Sequence, residues 1–163
     1  MQTAYLLLGS NLGDRLSYLE QAKQLIATEC GNISTESGIY ETAAWGITEQ
    51  PSFYNQVIVL LTDLLPAVLM QNLLDIEQVI GRKRIIKYGP RIIDIDILLI
   101  DSVILNTPLL TLPHPFLHER RFVLLPLAEV APLVVHPVIK RNILTLLNVC
   151  TDSLYVKKLS SIN

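Results

Sequence analysis

The segment YGPRIIDIDILLID, residues 88–101, constrains the fold more than any other part of the chain. Residues 92–100 are Ile and Leu except for Asp94 and Asp96, a composition that predicts a buried β-strand. Because successive strand side chains alternate between faces, the two carboxylates are expected on one face, with their Cα atoms about 6.5–7 Å apart. The alternation places Ile92, Leu98 and Ile100 beside the aspartates, and Ile93, Ile95, Ile97 and Leu99 on the opposite, core-facing side. Two like charges in such apolar surroundings are costly unless something neutralises them.

A divalent cation is the simplest source of that neutralisation. Oxygen ligands favour magnesium, which proteins often hold with one or two carboxylates plus substrate phosphates. Five basic residues lie just upstream: Arg82, Lys83, Arg84, Lys87 and Arg91. Acids beside a cluster of cations suit a nucleotide polyphosphate. A half-solvated strand face and a solvated basic loop are the plainer alternatives. Glu77 adds a carboxylate near a helix C-terminus, where partnering by Arg82, a ligand hydroxyl or simple exposure would each account for it.

The order of predicted elements indicates the fold class. Strands at 2–8 and 53–62 and helices at 15–29 and 66–80 lead to the aspartate strand, and residues 32–41 alternate weakly. The resulting β-α-β-β-α-β order predicts an α+β, ferredoxin-like fold with a mainly antiparallel central sheet. The later predictions are a strand near 103–106, helices near 120–129 and at 141–149, and a terminal strand in LYVKKL, all able to cover the other sheet face.

Composition limits the function classes. The 163 residues predict one domain, 1–163, and the formal net charge of −2 gives no global attraction for nucleic acid. No apolar run approaches the roughly 18–20 residues that would span a membrane. The two cysteines lack metal-site spacing and are interpreted as thiols of a reducing cytoplasm. We therefore expect a cytoplasmic protein, a monomer, with no nucleic-acid or membrane partner.

Several motifs together resemble one family, the 6-hydroxymethyl-7,8-dihydropterin pyrophosphokinases of folate synthesis. The matching stretches cover about residues 1–137 in one order, while 138–163 is interpreted as a C-terminal helix and a terminal strand. The motifs are LLLGSNLGDR, IYETAAWG, EQPSFYNQVI, IEQVIGRKR, YGPRIIDIDILL and LTLPHPFLHERRFVLLPLAEVAP. The chain differs from the usual family pattern at Leu74, Lys87 and Tyr88.

The resemblance implies a reaction and a site. ATP would give its β,γ-pyrophosphoryl group to the pterin hydroxymethyl oxygen, and AMP would leave. The resemblance also implies helices on both faces of the sheet. Two Mg²⁺ ions would be anchored by Asp94 and Asp96, and Asp96 would be a candidate proton acceptor. The catalytic residues implied are Arg82, Arg91, Asp94 and Asp96. The ATP-binding residues implied are Glu77, Arg82, Arg84, Lys87, Arg91, Ile97, Thr111, His114 and Arg120. The pterin-binding residues implied are Thr42, Ala43, Trp45, Phe53, Asn55, Asp94 and Phe122, with the two phenylalanines sandwiching the ring.

Two other classes share some of these features. A magnesium-dependent nucleic-acid enzyme also pairs carboxylates in a ferredoxin-like sheet, but the acidic pI of about 5.9 argues against it. A non-catalytic small-molecule sensor would need neither the acid pair nor the arginines. The same pattern predicts that loops 43–52 and 82–90, which contain Gly and Pro, close over bound nucleotide to exclude water.

Overall fold

The computed structural model describes residues 1–83 and 86–160, and its centre is an antiparallel sheet in the strand order β5-β1-β4-β3-β8, with β2 paired to β4. The strands are β1 (Gln2–Ser10), β2 (Asn32–Glu36), β3 (Tyr40–Thr42), β4 (Phe53–Thr62), β5 (Asp94–Ile100), β6 (Leu105–Asn106), β7 (Thr111–Leu112) and β8 (Val156–Lys158). The helices are α1 (Arg15–Glu29), α2 (Pro66–Ile80), α3 (Arg121–Val130) and α4 (Ile143–Val149), with a 3-10 turn at Leu117–Glu119. Strands β6 and β7 form a separate two-stranded ribbon.

Each face of the sheet is covered by its own pair of helices. Helices α1 and α2 bury Leu19, Ile26, Leu69 and Leu73 in one core, which also contains Ile95 from the aspartate strand. Helices α3 and α4 bury a second core against the other face. The predicted bounds of the first two helices, 15–29 and 66–80, are confirmed. The α+β architecture with helices on both faces is confirmed as well.

Helix α2 ends where its sequence predicts. Gly81 adopts φ 113°, a left-handed conformation that costs glycine little, and its N–H donates to the carbonyls of Glu77 and Gln78. Strand β5 begins at Asp94 rather than at 92, after Asn11 has bound both backbone groups of Arg91. The predicted strand segment 32–41 is divided into β2 and β3.

The predicted alternation along the aspartate strand is wrong beyond Leu98. Leu6 of β1 lies opposite Ile97 and Tyr5 opposite Leu99, so Leu98 is an extra, bulged residue. Leu98 and Leu99 therefore both pack in the α3–α4 core. Ile100, expected beside the aspartates, packs in the α1–α2 core instead. The bulge follows the aspartates, so their shared face is unaffected.

Candidate active site

A first cavity lies where the ends of four strands meet the start of α3. Its empty volume is about 500 Å³. The lining combines flat aromatic rings with a few polar groups, as small-molecule sites usually do. The lining residues are Leu7, Gly9, Thr42, Ala43, Trp45, Phe53, Asn55, Tyr88, Arg91, Asp94, Asp96, Arg120 and Phe122. All seven residues predicted for the pterin are among them.

The polar floor of this cavity is set by the register of the sheet. Gly9 lies directly opposite Asn55 on one side and Asp94 on the other. Asn55 is buried and its Nδ2 donates to the Thr42 hydroxyl at 2.7 Å. A Cβ on Gly9 would lie 2.6 Å from Asn55 Oδ1, so only glycine leaves this amide where it is. The Asn55 amide is thus held between Thr42 and Gly9 in the lining of the cavity.

A second, larger cavity is built mainly from loops. Its empty volume is about 1330 Å³, and its lining is rich in cations. The residues come from segments 82–91 and 114–120 and from β5: Arg82, Lys83, Ile86, Lys87, Tyr88, Gly89, Pro90, Arg91, Asp94, Asp96, His114, Pro115, Phe116 and Arg120. Such a basic, open groove suits a polyphosphate.

The two cavities meet at the aspartate pair. Five residues line both of them: Tyr88, Arg91, Asp94, Asp96 and Arg120. A ligand in either cavity would therefore present its reacting end to the same carboxylates and the same two guanidinium groups.

Asp94 is bound by two arginines. Arg82 Nη1 lies 2.7 Å from its Oδ1, and Arg91 Nε lies 3.0 Å from its Oδ2. The carboxylate of Asp96 has no such direct partner among the ion pairs of residues 1–83 and 86–160. Burial, with the negative charges of Asp94 and Glu77, raises the pKa of Asp96 to about 8. The cations beside the acid pair thus do not fully neutralise its two carboxylates.

Glu77 lies behind Arg82 and is not part of the lining of the second cavity. It is 4 % exposed, lies 2.6 Å from Arg82 Nη1, and accepts the Ile95 N–H at 2.7 Å. Burial, then repulsion by Asp94, raises the pKa of Glu77 even though Arg82 opposes the shift. Of the three alternatives that the sequence left open, partnering by Arg82 is the one observed.

His114 and Arg120 form the wall opposite the basic loop. Burial, and then the charge of Arg120, lowers the pKa of His114 to about 4, so its imidazole is neutral at pH 7. Its Nδ1 accepts the Phe116 N–H at 3.3 Å, which leaves Nε2 as a donor. The Arg120 guanidinium lies 4.0 Å from the Trp45 ring centre and 4.5 Å from that of Phe116. Stacking on two rings holds this arginine at the junction of the cavities.

A hydrogen-bonded link joins the loops of the two cavities. Asn11 Nδ2 donates to Gln50 Oε1 at 3.0 Å, and Gln50 Nε2 donates to the carbonyls of Ile47 at 2.7 Å and Tyr88 at 2.8 Å. Gln50 gave no sequence signal for this link, since Asn11 and Tyr88 are far from it in the chain.

Three residues predicted to bind ATP lie outside both cavities. Ile97 packs in the α1–α2 core on the far side of β5, Glu77 is behind Arg82, and Thr111 is on the β6–β7 ribbon. Arg84 falls outside the described residues. Conversely, Gly9 and Phe116 line cavities although they were not predicted; the register opposite Asn55 is the signal that would have located Gly9.

The metal ligands in reach are few. Within residues 1–83 and 86–160, no cluster of three or more His, Cys, Asp or Glu side chains is placed to hold an ion. Over the same residues, no helix is both long and apolar enough to cross a membrane.

Comparison with known proteins identifies the family of the chain. Residues 5–132 match the model of the 7,8-dihydro-6-hydroxymethylpterin-pyrophosphokinase family. Proteins named 2-amino-4-hydroxy-6-hydroxymethyldihydropteridine pyrophosphokinase are similar to the chain: that of Aquifex aeolicus is 45% identical over 141 residues, covering 86% of this chain and 88% of that protein. That of Methylorubrum extorquens is 43% identical over 133 residues, covering 81% and 84%.

Solved structures share the fold. A Plasmodium falciparum HPPK-DHPS structure with pteroate superposes with a TM-score of 0.74 at 20% identity, over 90% of this chain and 42% of that one. An HPPK-DHPS complex with substrates gives 0.73 at 18% identity, over 90% and 43%. The chain thus spans under half the length of these two structures. The sequence matches make it an enzyme of the pyrophosphokinase class. More narrowly, the chain belongs to the 7,8-dihydro-6-hydroxymethylpterin-pyrophosphokinase family.

Proposed function

We propose that the first cavity binds the pterin and the second binds ATP, so that their reacting ends meet over Asp94 and Asp96. The reaction is that of the family: pyrophosphate passes from ATP to the hydroxymethyl group of 6-hydroxymethyl-7,8-dihydropterin in folate synthesis, giving AMP and the pterin diphosphate. The observation that carries the spatial assignment is the pair of cavities sharing one acid pair.

The first cavity fits a flat heterocycle with a hydrogen-bonding edge. Phe53 and Phe122 supply aromatic surface for the two faces of the ring, and Asn55 bonds its amide edge. Thr42 fixes the orientation of that amide through the 2.7 Å hydrogen bond. Ala43 and Trp45 complete the rim, where their backbone groups are proposed to meet the pterin.

The acid pair fits magnesium by its donor chemistry. Two carboxylates on one strand face, with no third protein ligand clustered nearby among residues 1–83 and 86–160, match a metal whose remaining ligands are phosphate oxygens and water. Asp94 and Asp96 would hold two ions. Bound there, Mg²⁺ would supply charge neutralisation to the triphosphate and lower the pKa of the hydroxymethyl group.

The chain's own cations would position the triphosphate. Arg82, Lys87, Arg91 and Arg120 line the second cavity beside the proposed phosphate chain, where neutral His114 adds a hydrogen-bond donor. Since charge develops on the bridging oxygen of the departing AMP, fixed guanidinium groups stabilise the transition state more than the ground state. Magnesium at the acid pair would offset the burial and like charge that raise the pKa of Asp96 and so favour its ionised form; this carboxylate, present in both cavities, is the proposed acceptor for the hydroxymethyl proton.

The other residues predicted to contact the nucleotide lie farther from the second cavity or outside the described residues. Glu77 would act through Arg82, which it orients. Ile97 and Thr111 would reach the nucleotide only by backbone groups or after movement, and Arg84 stays a prediction. A monomeric state, a cytoplasmic location and a single domain over 1–163 also stay predictions.

Product analysis tests the proposal. The protein would be incubated with magnesium, ATP and the hydroxymethyl pterin, and nucleotides separated chromatographically. AMP formed only with pterin, in equal amount with a pterin diphosphate, is the expected result. Formation of ADP would mean single phosphoryl transfer and would overturn the assignment; ATP bound without turnover would support a sensor instead.

A further inference from the structure

The C-terminal segment 152–159 contacts both walls of the first cavity, although it lies beyond the family match at 5–132. We propose that this segment is a strap that sets the separation of those walls, with Asp152 and strand β8 as its positioning elements. The inference rests on the proposed function, since the ligand it serves is the pterin.

One end of the strap holds the β3 wall. Val156 of β8 lies opposite Thr42, and Lys158 lies opposite Tyr40. Just beyond the ladder, the Ala43 N–H donates to the Tyr155 carbonyl at 2.9 Å. Thr42 and Ala43 both line the cavity, so the strap fixes the edge of the sheet at the point where it becomes the binding rim.

The other end of the strap holds the α3 wall. Asp152 Oδ2 accepts the N–H of Arg121 at 3.0 Å. Arg121 is the first residue of α3, and its chain neighbours Arg120 and Phe122 both line the cavity. A carboxylate at this position also complements the positive end of the helix dipole.

Glu129 of α3 ties the two walls together at the far end of the helix. Its carboxylate accepts from the Tyr40 hydroxyl at 2.6 Å, the Gly38 N–H at 3.1 Å and Lys158 Nζ at 3.0 Å. A continuous row of directly paired residues then crosses the sheet from β8 to the acid pair: Lys158, Tyr40, Asn55, Gly9 and Asp94.

The separation of the two walls should control how well the pterin binds. Phe53, paired with Thr42, and Phe122 belong to different walls, and a flat ring fills the gap between them only at one wall separation. A shift of about 1 Å is enough to weaken oriented binding severely. Loosening the strap should thus weaken the pterin more than the nucleotide. Arg120 borders both cavities, but the other residues of the basic loops, 82–91 and 114–119, form no hydrogen bond with the strap among those of the described residues.

Two variants and two matched controls test the strap in the full chain. Asp152→Ala removes the hydrogen-bond acceptor for α3, and Asp152→Asn keeps one acceptor oxygen. Lys157→Pro removes a ladder donor, because the bonds at Tyr155 and Leu159 show that odd-numbered residues direct their backbone toward β3. Val156→Pro places the same ring where the N–H points away.

Isothermal titration would measure the affinity for hydroxymethyl pterin and, separately, for a non-hydrolysable ATP analogue with magnesium. We expect Asp152→Ala and Lys157→Pro to weaken pterin binding about five- to tenfold, with analogue binding within twofold of wild type. Asp152→Asn and Val156→Pro should stay nearer wild type.

Unchanged pterin binding in both test variants would overturn the strap while leaving the proposed function intact. Equal loss of both ligands, together with a lower Tm, would reduce the segment to a general stability role and also overturn it. Failure of the wild-type protein to bind pterin would instead overturn the proposed function.

Discussion

The two cavities differ in what builds them. The first is made of strand ends with buried side chains: Thr42, Phe53 and Asn55 are 1 %, 7 % and 4 % exposed. The second is made of loops, where Ile86 and Tyr88 are 63 % and 37 % exposed. A rigid sheet suits recognition of one flat ring by its hydrogen-bonding edge, while loops suit a phosphate chain that is gripped by charge and then released. The contrast teaches that one site can assign selectivity and turnover to different kinds of structure.

Asp96→Ala should have the largest effect, because Asp96 belongs to both cavities. Losing one of two carboxylates at the transfer point should lower kcat by about three orders of magnitude or more, equivalent to about 4 kcal/mol. Steady-state assay with circular dichroism as a folding check measures this. Asp101→Asn, after the same strand, lies outside both cavities and is the control. Near-normal turnover of Asp96→Ala would remove the shared point from the account.

Gly9→Ala should affect the strand-built cavity alone. Its Cβ would lie 2.6 Å from Asn55 Oδ1, so the amide must turn from the position that faces the pterin. We expect pterin affinity to fall ten- to a hundredfold, about 1.4–3 kcal/mol, with ATP affinity unchanged. Ser10→Ala, the neighbouring change on the other face of β1, is the control. Equal loss for both ligands would show that the two cavities are not separable.

Gln50→Ala should affect the loop-built side. Gln50 takes part in three hydrogen bonds: two join the segment 47–51 to Asn11 and Tyr88, and the third, to the Ile47 carbonyl, lies within the segment. At about 1 kcal/mol for each of the two bonds that leave the segment, local opening should rise roughly thirtyfold. Limited proteolysis would detect faster cleavage in 43–52 and 82–90, suppressed by a magnesium–ATP analogue. Equal cleavage with and without the analogue would contradict loop closure.

The smallest expected effect is on the stability of the strand-built side at low pH. Although partial burial alone raises the pKa of Glu129, hydrogen bonds from Tyr40, Lys158 and the Gly38 N–H lower it overall. A depressed folded-state pKa means that Glu129 stabilises the fold above its unfolded pKa, near 4.3, and loses this contribution as pH falls through the folded value.

Glu129→Gln removes that titration. At pH 7 the variant should be less stable than wild type by about 1–2 kcal/mol at most, the contribution of the lost hydrogen bonds, and should show a lower Tm. At pH 3 the difference in Tm should be smaller. Thermal unfolding from pH 7 to 3 measures the difference. Glu20→Gln, an exposed carboxylate on α1, is the control, and parallel curves for Glu129→Gln and wild type would exclude a role for this group.

Local sequence patterns predicted the elements well because their signals are short-range. Helix α1, helix α2 and strand β4 have the predicted bounds. Apolar residues at helical spacing predict α1, and Pro66 and Gly81 mark the two ends of α2. The bulge at Leu98 had no such signal: it depends on the register of β1 against β5, which is a long-range property.

The candidate site divides along the same line. Before the bulge, strand side chains lie on the faces that alternation predicts, and the residues expected around the pterin all line one cavity. Residues of the nucleotide side depend on loop paths and on ion pairs formed across them. Glu77 shows the difference: its carboxylate is taken up by Arg82 and Ile95 rather than presented to the cavity.

Isothermal titration of hydroxymethyl pterin onto Asn55→Ala tests the central claim most directly, because Asn55 lines the first cavity and not the second. The account predicts pterin binding at least tenfold weaker, about 1.4 kcal/mol, with the affinity for a magnesium–ATP analogue unchanged. Pterin affinity equal to that of the wild-type protein would contradict the assignment of the strand-built cavity to the pterin.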